Sequence, residues 1–271
     1  MITSETTSNI VSSSTSGTQF NIQADSYLFD LLTSKVYSDP IAAAIREIST
    51  NAVDACIEAG VFPSIDVHLP TTDESFFSVR DYGLGMSPEV ISDLYSTVGA
   101  SSKRSSNQFN GCMGIGKLAP LAYTSAFELS SYYAGNEHKY LITIENGIPV
   151  LIHLLTIPST QPSGVSITFQ VDPTDLTTFI STATDIYKWF STPVISNLPI
   201  ETTLPKHHYL TDSIIIQKDT CGVLMGNVHY KIPRHVHNLK GIPSYVTFVA
   251  DIGEVSINPG RELLSCDDST V

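Results

Sequence analysis

Basic residues are scarce in this chain. Only 14 Lys and Arg stand against 27 Asp and Glu, a formal net charge of −13 over 271 residues. Gripping nucleic acid through its phosphates is largely an electrostatic footprint of Lys and Arg, so this deficit argues against direct nucleic-acid binding, and equally against an anionic membrane surface. Long apolar runs are missing too: no stretch approaches the ~20 residues a membrane span needs, and no basic segment with an apolar core opens the chain. Cysteine is sparse and scattered. Cys56, Cys112, Cys221 and Cys266 show no C-x-x-C spacing, so neither a zinc site nor a disulfide framework is indicated. His207, His208, His229, His235 and His237 form no metal-ligand pattern and read as loop histidines. What remains is an ordinary globular composition, 42% hydrophobic, with chain enough for two domains and a proper core.

Residues 1–17 are rich in Ser and Thr and read as a disordered leader. Beyond them, alternating β-rich runs predict strands at 65–69, 76–81, 127–133, 139–145 and 165–171. Asn146-Gly147 is a strong hairpin turn into a further run at 149–155. Helices are expected at 40–59, at about 88–95 and near 115–124, the last interrupted or kinked at Pro120. The fold class is therefore α+β: a mixed, largely antiparallel sheet with helices on one face, a two-layer sandwich. From about residue 176 a second, smaller α/β unit begins. Leu176, Phe179, Ile180, Ala183, Ile186, Tyr187 and Phe190 suit an amphipathic helix, and strand-like runs follow at 213–218, 221–232 and 244–257.

The helix at 40–59 carries the first chemistry. Asp39 is a natural N-cap, Pro40 fits the first helical position and Gly60 stands where a left-handed C-cap is wanted. Ile41, Ala44, Ile45, Ile48, Ala52 and Ala55 form a core-facing stripe, and Glu47, Asn51 and Asp54 fall in one row beside it. A polar row beside a buried stripe suggests a cleft wall, although a solvated face of an ordinary amphipathic helix would read the same way. Hydrolysis of a phosphoanhydride needs a magnesium ion on the phosphates and a base for water. An Asn carbonyl oxygen is a hard ligand suited to Mg²⁺, and a Glu one turn away can reach the water.

Two further segments fit the same chemistry. The run from Ser75 to Asp81 delivers a carboxylate to a glycine turn, where Gly83 and Gly85 leave room for a flat ring and an ionised Asp accepts an exocyclic amine. Asp-Tyr-Gly alone is also a common turn. Gly111, Gly114 and Gly116 precede an apolar run, and amides at such a helix entrance cradle phosphates. The segment Gly111 to Lys117 also fits the G-x-x-x-x-G-K core of a P-loop. However, Leu118 stands where the metal-binding Ser or Thr should be, and the polar residues 101–110 cannot supply the buried strand a P-loop follows.

Taken together, Glu47-x-x-x-Asn51-x-x-Asp54-Ala55, Asp81-x-Gly83-x-Gly85-Met86 and Gly111-x-x-Gly114-x-Gly116 resemble the three nucleotide-binding boxes of the GHKL ATPases, the family of gyrase B, the ninety-kilodalton heat-shock chaperone, histidine kinases and MutL. Within that family the chain most resembles the rIIA lysis-inhibitor-like proteins of bacteriophages. That likeness is carried by Val36 to Ala55, Val79 to Ser87, Leu94 to Asn107 and Met113 to Phe127. It covers residues 20–175 well and continues more weakly beyond.

The resemblance implies a Bergerat-type ATP-binding domain over residues 18–175, a lid at about 96–113 and a transducer-like domain over 176–271. It implies Glu47 as general base, Asn51 as the Mg²⁺ ligand, Asp54 as a support and Asp81 as the adenine contact. Gly83, Gly85, Met86, Gly111, Gly114, Ile115 and Gly116 would line the nucleotide, and Ser101, Ser102 and Lys103 would sit in the lid. Lys117 is offered as a phosphate contact or, alternatively, as a solvated lysine at a loop–helix junction. Lys218 is the transducer candidate for the γ-phosphate, with Arg261 behind it, unless both are simply solvated. A later glycine box, Ser163 to Phe169, has Val165 where many relatives carry Thr, which leaves one hydrogen bond on the adenine side open.

The expected activity is Mg-dependent ATP binding with slow hydrolysis, driving a lid and transducer switch in a phage protein that acts in the host cytoplasm against exclusion or lysis-timing systems. A homodimer or protein partner on ATP binding is expected, with no direct nucleic acid. Two alternatives stay open: an ATP-binding scaffold without turnover, and a gyrase B- or MutL-like DNA-topology or repair subunit. Because rIIA-like proteins are longer, a chain stopping at Val271 is expected to be an N-terminal fragment.

Overall fold

The computed structural model describes residues 25–31, 35–97, 116–200, 208–211, 214–216, 221–232, 245–258, 260 and 262–265. A short helix α1 (Ser26–Asp30) precedes the long α2 (Pro40–Glu58). Asp39 caps α2 as its sequence implies: its backbone is extended, and its carboxylate accepts the Ala42 N–H at 3.0 Å. Pro40 opens the first turn, where its missing N–H costs nothing, and Gly60 follows the last turn with φ +65°, a left-handed stop.

Seven strands make the principal sheet. They are β1 (Ile65–His68), β2 (Phe76–Arg80), β3 (Ala126–Tyr133), β4 (Asn136–Glu145), β5 (Ile148–Pro158), β6 (Gly164–Gln170) and β7 (Val194–Ser196). Their order is β5-β4-β3-β6-β2-β1-β7, antiparallel throughout except for the parallel β1–β7 pair. Alternation decides which face is covered. Phe77 and Val79 of β2, Phe127 and Leu129 of β3 and Tyr140 and Ile142 of β4 point into the core, while Ser78, Arg80 and Glu128 point away. The buried face meets α2, α3 (Pro88–Ser96), a 3-10 helix (Gly116–Ala122) and α4 (Leu176–Tyr187). Phe77, Phe169 and Phe179 pack with ring centroids 5.6–6.0 Å apart at the centre of that layer.

Two turns explain the meander. Asn146 and Gly147 both have positive φ, 52° and 78°, the two-residue turn whose twist matches antiparallel strands. Ala134 and Gly135 do the same between β3 and β4, with φ 50° and 75°. The helix expected near 115–124 is a 3-10 helix instead. Pro120 sits inside it and lacks the N–H that an α-helical bond would need.

A second sheet follows, built from β8 (His208–Thr211), β9 (Ile214–Ile216), β10 (Gly222–Met225), β11 (Val228–Lys231) and β12 (Val246–Ala250), in the order β11-β10-β12-β9-β8. The run read as one strand over 221–232 is a hairpin, folded at Gly226-Asn227 with Gly226 at φ 61°. Val223, Met225, Val228, Tyr230 and Leu264 form its core. The helix that the sequence groups with this unit, α4, packs into the first layer, where β7 also pairs: Phe179, Ala183, Tyr187 and Phe190 join the core of the large sheet. Trp189, Ile215 and Leu224 then join the end of α4 to the second sheet.

Candidate nucleotide site

On α2 the predicted row is in place, but it is not a solvated face. Glu47 is 2% exposed and Asp54 fully buried, while Asn51 between them is half-buried. Burial extends to both sides of the apolar stripe, through Arg46, Ser49 and Thr50, because the 3-10 helix and α4 flank α2 as well as the sheet behind it. Thr50 turns its hydroxyl back to the Arg46 carbonyl at 2.9 Å, and the Ser49 hydroxyl shares a 2.8 Å hydrogen bond with Tyr187.

Gly116 lies directly against the Glu47 carboxylate. A methyl group added at Gly116 would stand 2.4 Å from Glu47 Oε2, so the third glycine box and the acid of the first are in contact. On its other side the carboxylate meets Arg46, whose Nε lies 3.4 Å from Oε1. The Arg46 guanidinium also donates to the Gly260 carbonyl at 3.0 Å.

Asp81, 5% exposed, directly follows β2, and its carboxylate is held by the backbone around it. Oδ1 accepts the Gly83 N–H at 2.9 Å and the Val165 N–H at 3.1 Å, while the Asp81 N–H donates to the Val165 carbonyl. Such a two-amide grip fixes the orientation of the acid. Val165 takes part through its backbone alone. Gly83 is needed because a side chain there would meet the Ala55 carbonyl at 2.8 Å, which brings the Asp81 loop onto the C-terminal half of α2. Gly85 has φ +70°, and a Cβ would lie 2.2 Å from the Tyr132 carbonyl. Gly164 approaches the Asp81 carbonyl as closely. The Ser131 hydroxyl accepts the Met86 N–H at 2.7 Å and donates to the Met86 carbonyl at 2.8 Å, tying the glycine turn to β3.

Lys117 is engaged by the neighbouring backbone. Its ammonium donates to the carbonyls of Leu94 and Thr97, the latter at 2.9 Å, and so caps the C-terminal end of α3. Desolvation lowers its pKa to about 8. The amine is thus held by backbone carbonyls rather than left to solvent. Ser101, Ser102, Lys103, Gly111, Gly114, Ile115, Lys218 and Arg261 lie outside the described residues.

Three contributors are not evident from the sequence. Ser131 signals itself only as a polar residue at an inward position of β3, after Phe127 and Leu129. Arg46 reads as one more charge on a helix. Glu262 sits 224 residues from its partner Ser38, a distance no local pattern spans.

The space expected at Gly83 and Gly85 for a flat ring is taken up by the Ala55 and Tyr132 carbonyls, so these glycines serve close packing; the fit to a nucleotide rests on the oriented Asp81 carboxylate and on the buried Glu47 carboxylate beside Gly116. The half-buried Asn51 carries an amide oxygen, a hard donor of the type that could hold magnesium. Residues 37–169 match the sequence model of the histidine kinase-, DNA gyrase B-, and HSP90-like ATPases. Among curated proteins, the B subunit of type 2 DNA topoisomerase 6 from Metallosphaera sedula is 32% identical over 99 residues, covering 34% of this chain and 19% of that protein. Its counterpart from Archaeoglobus fulgidus is 35% identical over 92 residues, or 32% and 15% of the two chains. That from Saccharolobus islandicus is 25% identical over 130 residues, or 43% and 24%. The matched part thus spans no more than 24% of the length of these relatives. No helix among the described residues is long and apolar enough to cross a membrane. Over residues 37–169 the chain is thus similar to the ATPase domains of the histidine kinase-, DNA gyrase B- and HSP90-like type.

Proposed function

We propose that this chain is a Mg-dependent ATPase whose slow turnover drives a conformational switch. The observation that carries the reading is the contact of Gly116 with the buried Glu47 carboxylate, in one helix row with Asn51 and Asp54 and with the amide-held Asp81 across the loop from Ala55. Glu47 is the general base that takes the proton of the attacking water, and Asn51 is the protein ligand to the ion. Mg²⁺ on the phosphates would neutralise charge developing on the transferred group. Asp81 accepts the exocyclic amine of adenine. Asp54 is fully buried beneath this wall and supports it. In this reading the second sheet moves and a homodimer or protein partner is the output, while most of the lid proposed for residues 96–113, and Lys218 as its transducer group, lie outside the described residues.

The biological setting divides into two readings. The sequence motifs favour an rIIA-like phage protein acting against host exclusion or on lysis timing. The similarity to the topoisomerase 6 relatives favours the ATPase part of a DNA-topology assembly. In that case a partner or another part of the protein would hold the DNA, because a net charge of −13 suits a phosphate backbone poorly. ATP binding and phosphate release, compared between the chain, Glu47→Ala and Asn51→Ala, test the shared core. Glu47→Ala should bind without hydrolysing, and Asn51→Ala should lose the magnesium dependence of binding. Absence of ATP binding by the unmodified chain would overturn the site.

A further inference from the structure

Residues 258, 260 and 262–264 form an arm that reaches from the second sheet to the helix that bears Glu47. Its root is apolar: Leu264 is buried with Val223, Met225, Val228 and Tyr230, and Ile257 is bridged to Leu264. Its bend is internally braced, since the Asn258 side-chain oxygen accepts the N–H of Glu262 at 2.8 Å and of Leu263 at 3.1 Å, and the Asn258 N–H donates to the Leu263 carbonyl. Its tip makes two contacts on α2. The Glu262 carboxylate accepts the Ser38 N–H at 3.0 Å, the Ser38 hydroxyl at 2.5 Å and the Asp39 N–H at 3.1 Å, just before the first turn. Two turns further on, the Gly260 carbonyl takes the Arg46 guanidinium at 3.0 Å, and the same guanidinium touches Glu47.

Close approach is part of the design. A side chain at Gly260 would stand 2.4 Å from the Val36 carbonyl, so only glycine lets the arm lie against the entry to α2. Burial alone would raise the pKa of Glu262, but the Ser38 and Asp39 donors and the Arg46 charge outweigh it and leave the carboxyl below the usual range. The tip is therefore a carboxylate at neutral pH.

We infer that Glu262 and Arg46 are positioning residues: through them the second sheet holds the start of α2 and sets where the Glu47 carboxylate lies. This rests on the reading of Glu47 as the base. The second sheet need not touch nucleotide for this to hold. The coupling runs from the Leu264 core, through the Asn258 brace, to two backbone amides and one guanidinium.

The test uses the whole chain and two independent readouts, amide hydrogen exchange over residues 36–47 and the division of ATPase effects between binding and turnover. Glu262→Ala should speed exchange at Ser38 and Asp39 and lower kcat about tenfold, with ATP affinity kept within about threefold. Glu262→Gln, which keeps one acceptor oxygen, should recover part of both effects. Gly260→Ala should reproduce the loss by lifting the arm from Val36. Unchanged exchange at Ser38 and Asp39 in Glu262→Ala would show that the arm does not hold the helix. Faster exchange with unchanged kcat would show that it does not place the base. Either result overturns the inference. Failure of the unmodified chain to bind ATP would instead remove the catalytic reading, and the exchange data would still decide whether the arm holds α2.

Discussion

Replacing Asp81 by Asn separates the task this carboxylate performs in the fold from the adenine contact proposed for it. The structure assigns Oδ1 to the Gly83 and Val165 amides, at 2.9 and 3.1 Å, and an asparagine keeps that oxygen. Those same amides force the amide nitrogen of the new side chain to the other side, where an acceptor for the adenine amine has become a donor. A hydrogen bond to a charged group contributes roughly 1.5–3 kcal/mol, so ATP should bind about 10- to 150-fold more weakly while the fold holds. Titration calorimetry with ATP and with inosine triphosphate, which carries a keto oxygen in place of the amine, reads both affinity and base preference. The unmodified chain should prefer ATP, and Asp81→Asn should lose or invert that preference. Asp81→Ala serves as the contrast: it strands two amides, each costing about 1–3 kcal/mol if left without a partner, and should lower the melting temperature as well. An Asn variant that binds ATP as tightly as the parent, or still prefers it over the inosine nucleotide, would refute the role of Asp81.

Other perturbations follow from single contacts. In Gly116→Ala the new methyl stands 2.4 Å from Glu47 Oε2, the far end of a side chain that can give way. Stability should therefore change by less than about 1 kcal/mol while turnover falls about 10- to 100-fold, read by chemical denaturation and phosphate release. Gly85→Ala is different in kind, because its methyl meets the Tyr132 backbone oxygen at 2.2 Å on a residue with φ +70°. It should cost more than about 2 kcal/mol and be visible as poor folding, and a stable variant would contradict the tight turn. His229, stacked on Trp189 and bonded to Thr247, has its pKa lowered by burial, and further by Lys188 and Lys231, to about 4. The unfolded chain thus binds the extra proton first, so stability is complete above the ordinary histidine pKa of ~6.5 and is lost as pH falls toward 4, by up to roughly 3 kcal/mol. Thermal melts at pH 7.5 and 5 should show a shallower loss for His229→Phe than for the parent, and equal slopes would exclude the burial argument.

What the sequence makes legible is what depends on local chemistry. Asp39, Pro40 and Gly60 delimit α2 because capping is decided within a few residues, and Asn146-Gly147 specifies its hairpin for the same reason. The row Glu47, Asn51 and Asp54 follows from helical periodicity alone. Whether that row faces water does not, because the neighbours that bury it, the 3-10 helix and α4, come from roughly 60 or more residues away. The same limit explains Lys117. Its position after the glycines suggests phosphate, yet its amine finds the unpaired carbonyls at the end of α3, which no spacing rule connects to it. The hairpin at Gly226 is hidden by an apolar run on both sides of a glycine that fits a strand as readily as a turn.

The contacts hardest to read are also the ones that bear on coupling. A nucleotide site made only of local motifs could bind ATP without informing the rest of the protein, since each box would act on its own ligand atom. Here the boxes are joined by contacts between distant segments: Gly116 on Glu47, Gly83 on Ala55, Gly85 on Tyr132, and the Val165 amide on Asp81. Those of Gly83 and Gly85 are backbone approaches that a single methyl group would obstruct, so a displacement there is passed on rather than absorbed by side-chain rotation. Arg46 extends that chain one step outward, because its guanidinium is shared by Glu47 within the site and by Gly260 on the arm from the second sheet. Movement of the second sheet can then change the setting of the acid without altering any residue that faces the nucleotide. Substitutions at Glu262 and Gly260 should accordingly appear in turnover before they appear in affinity, while those at Asp81 should do the reverse.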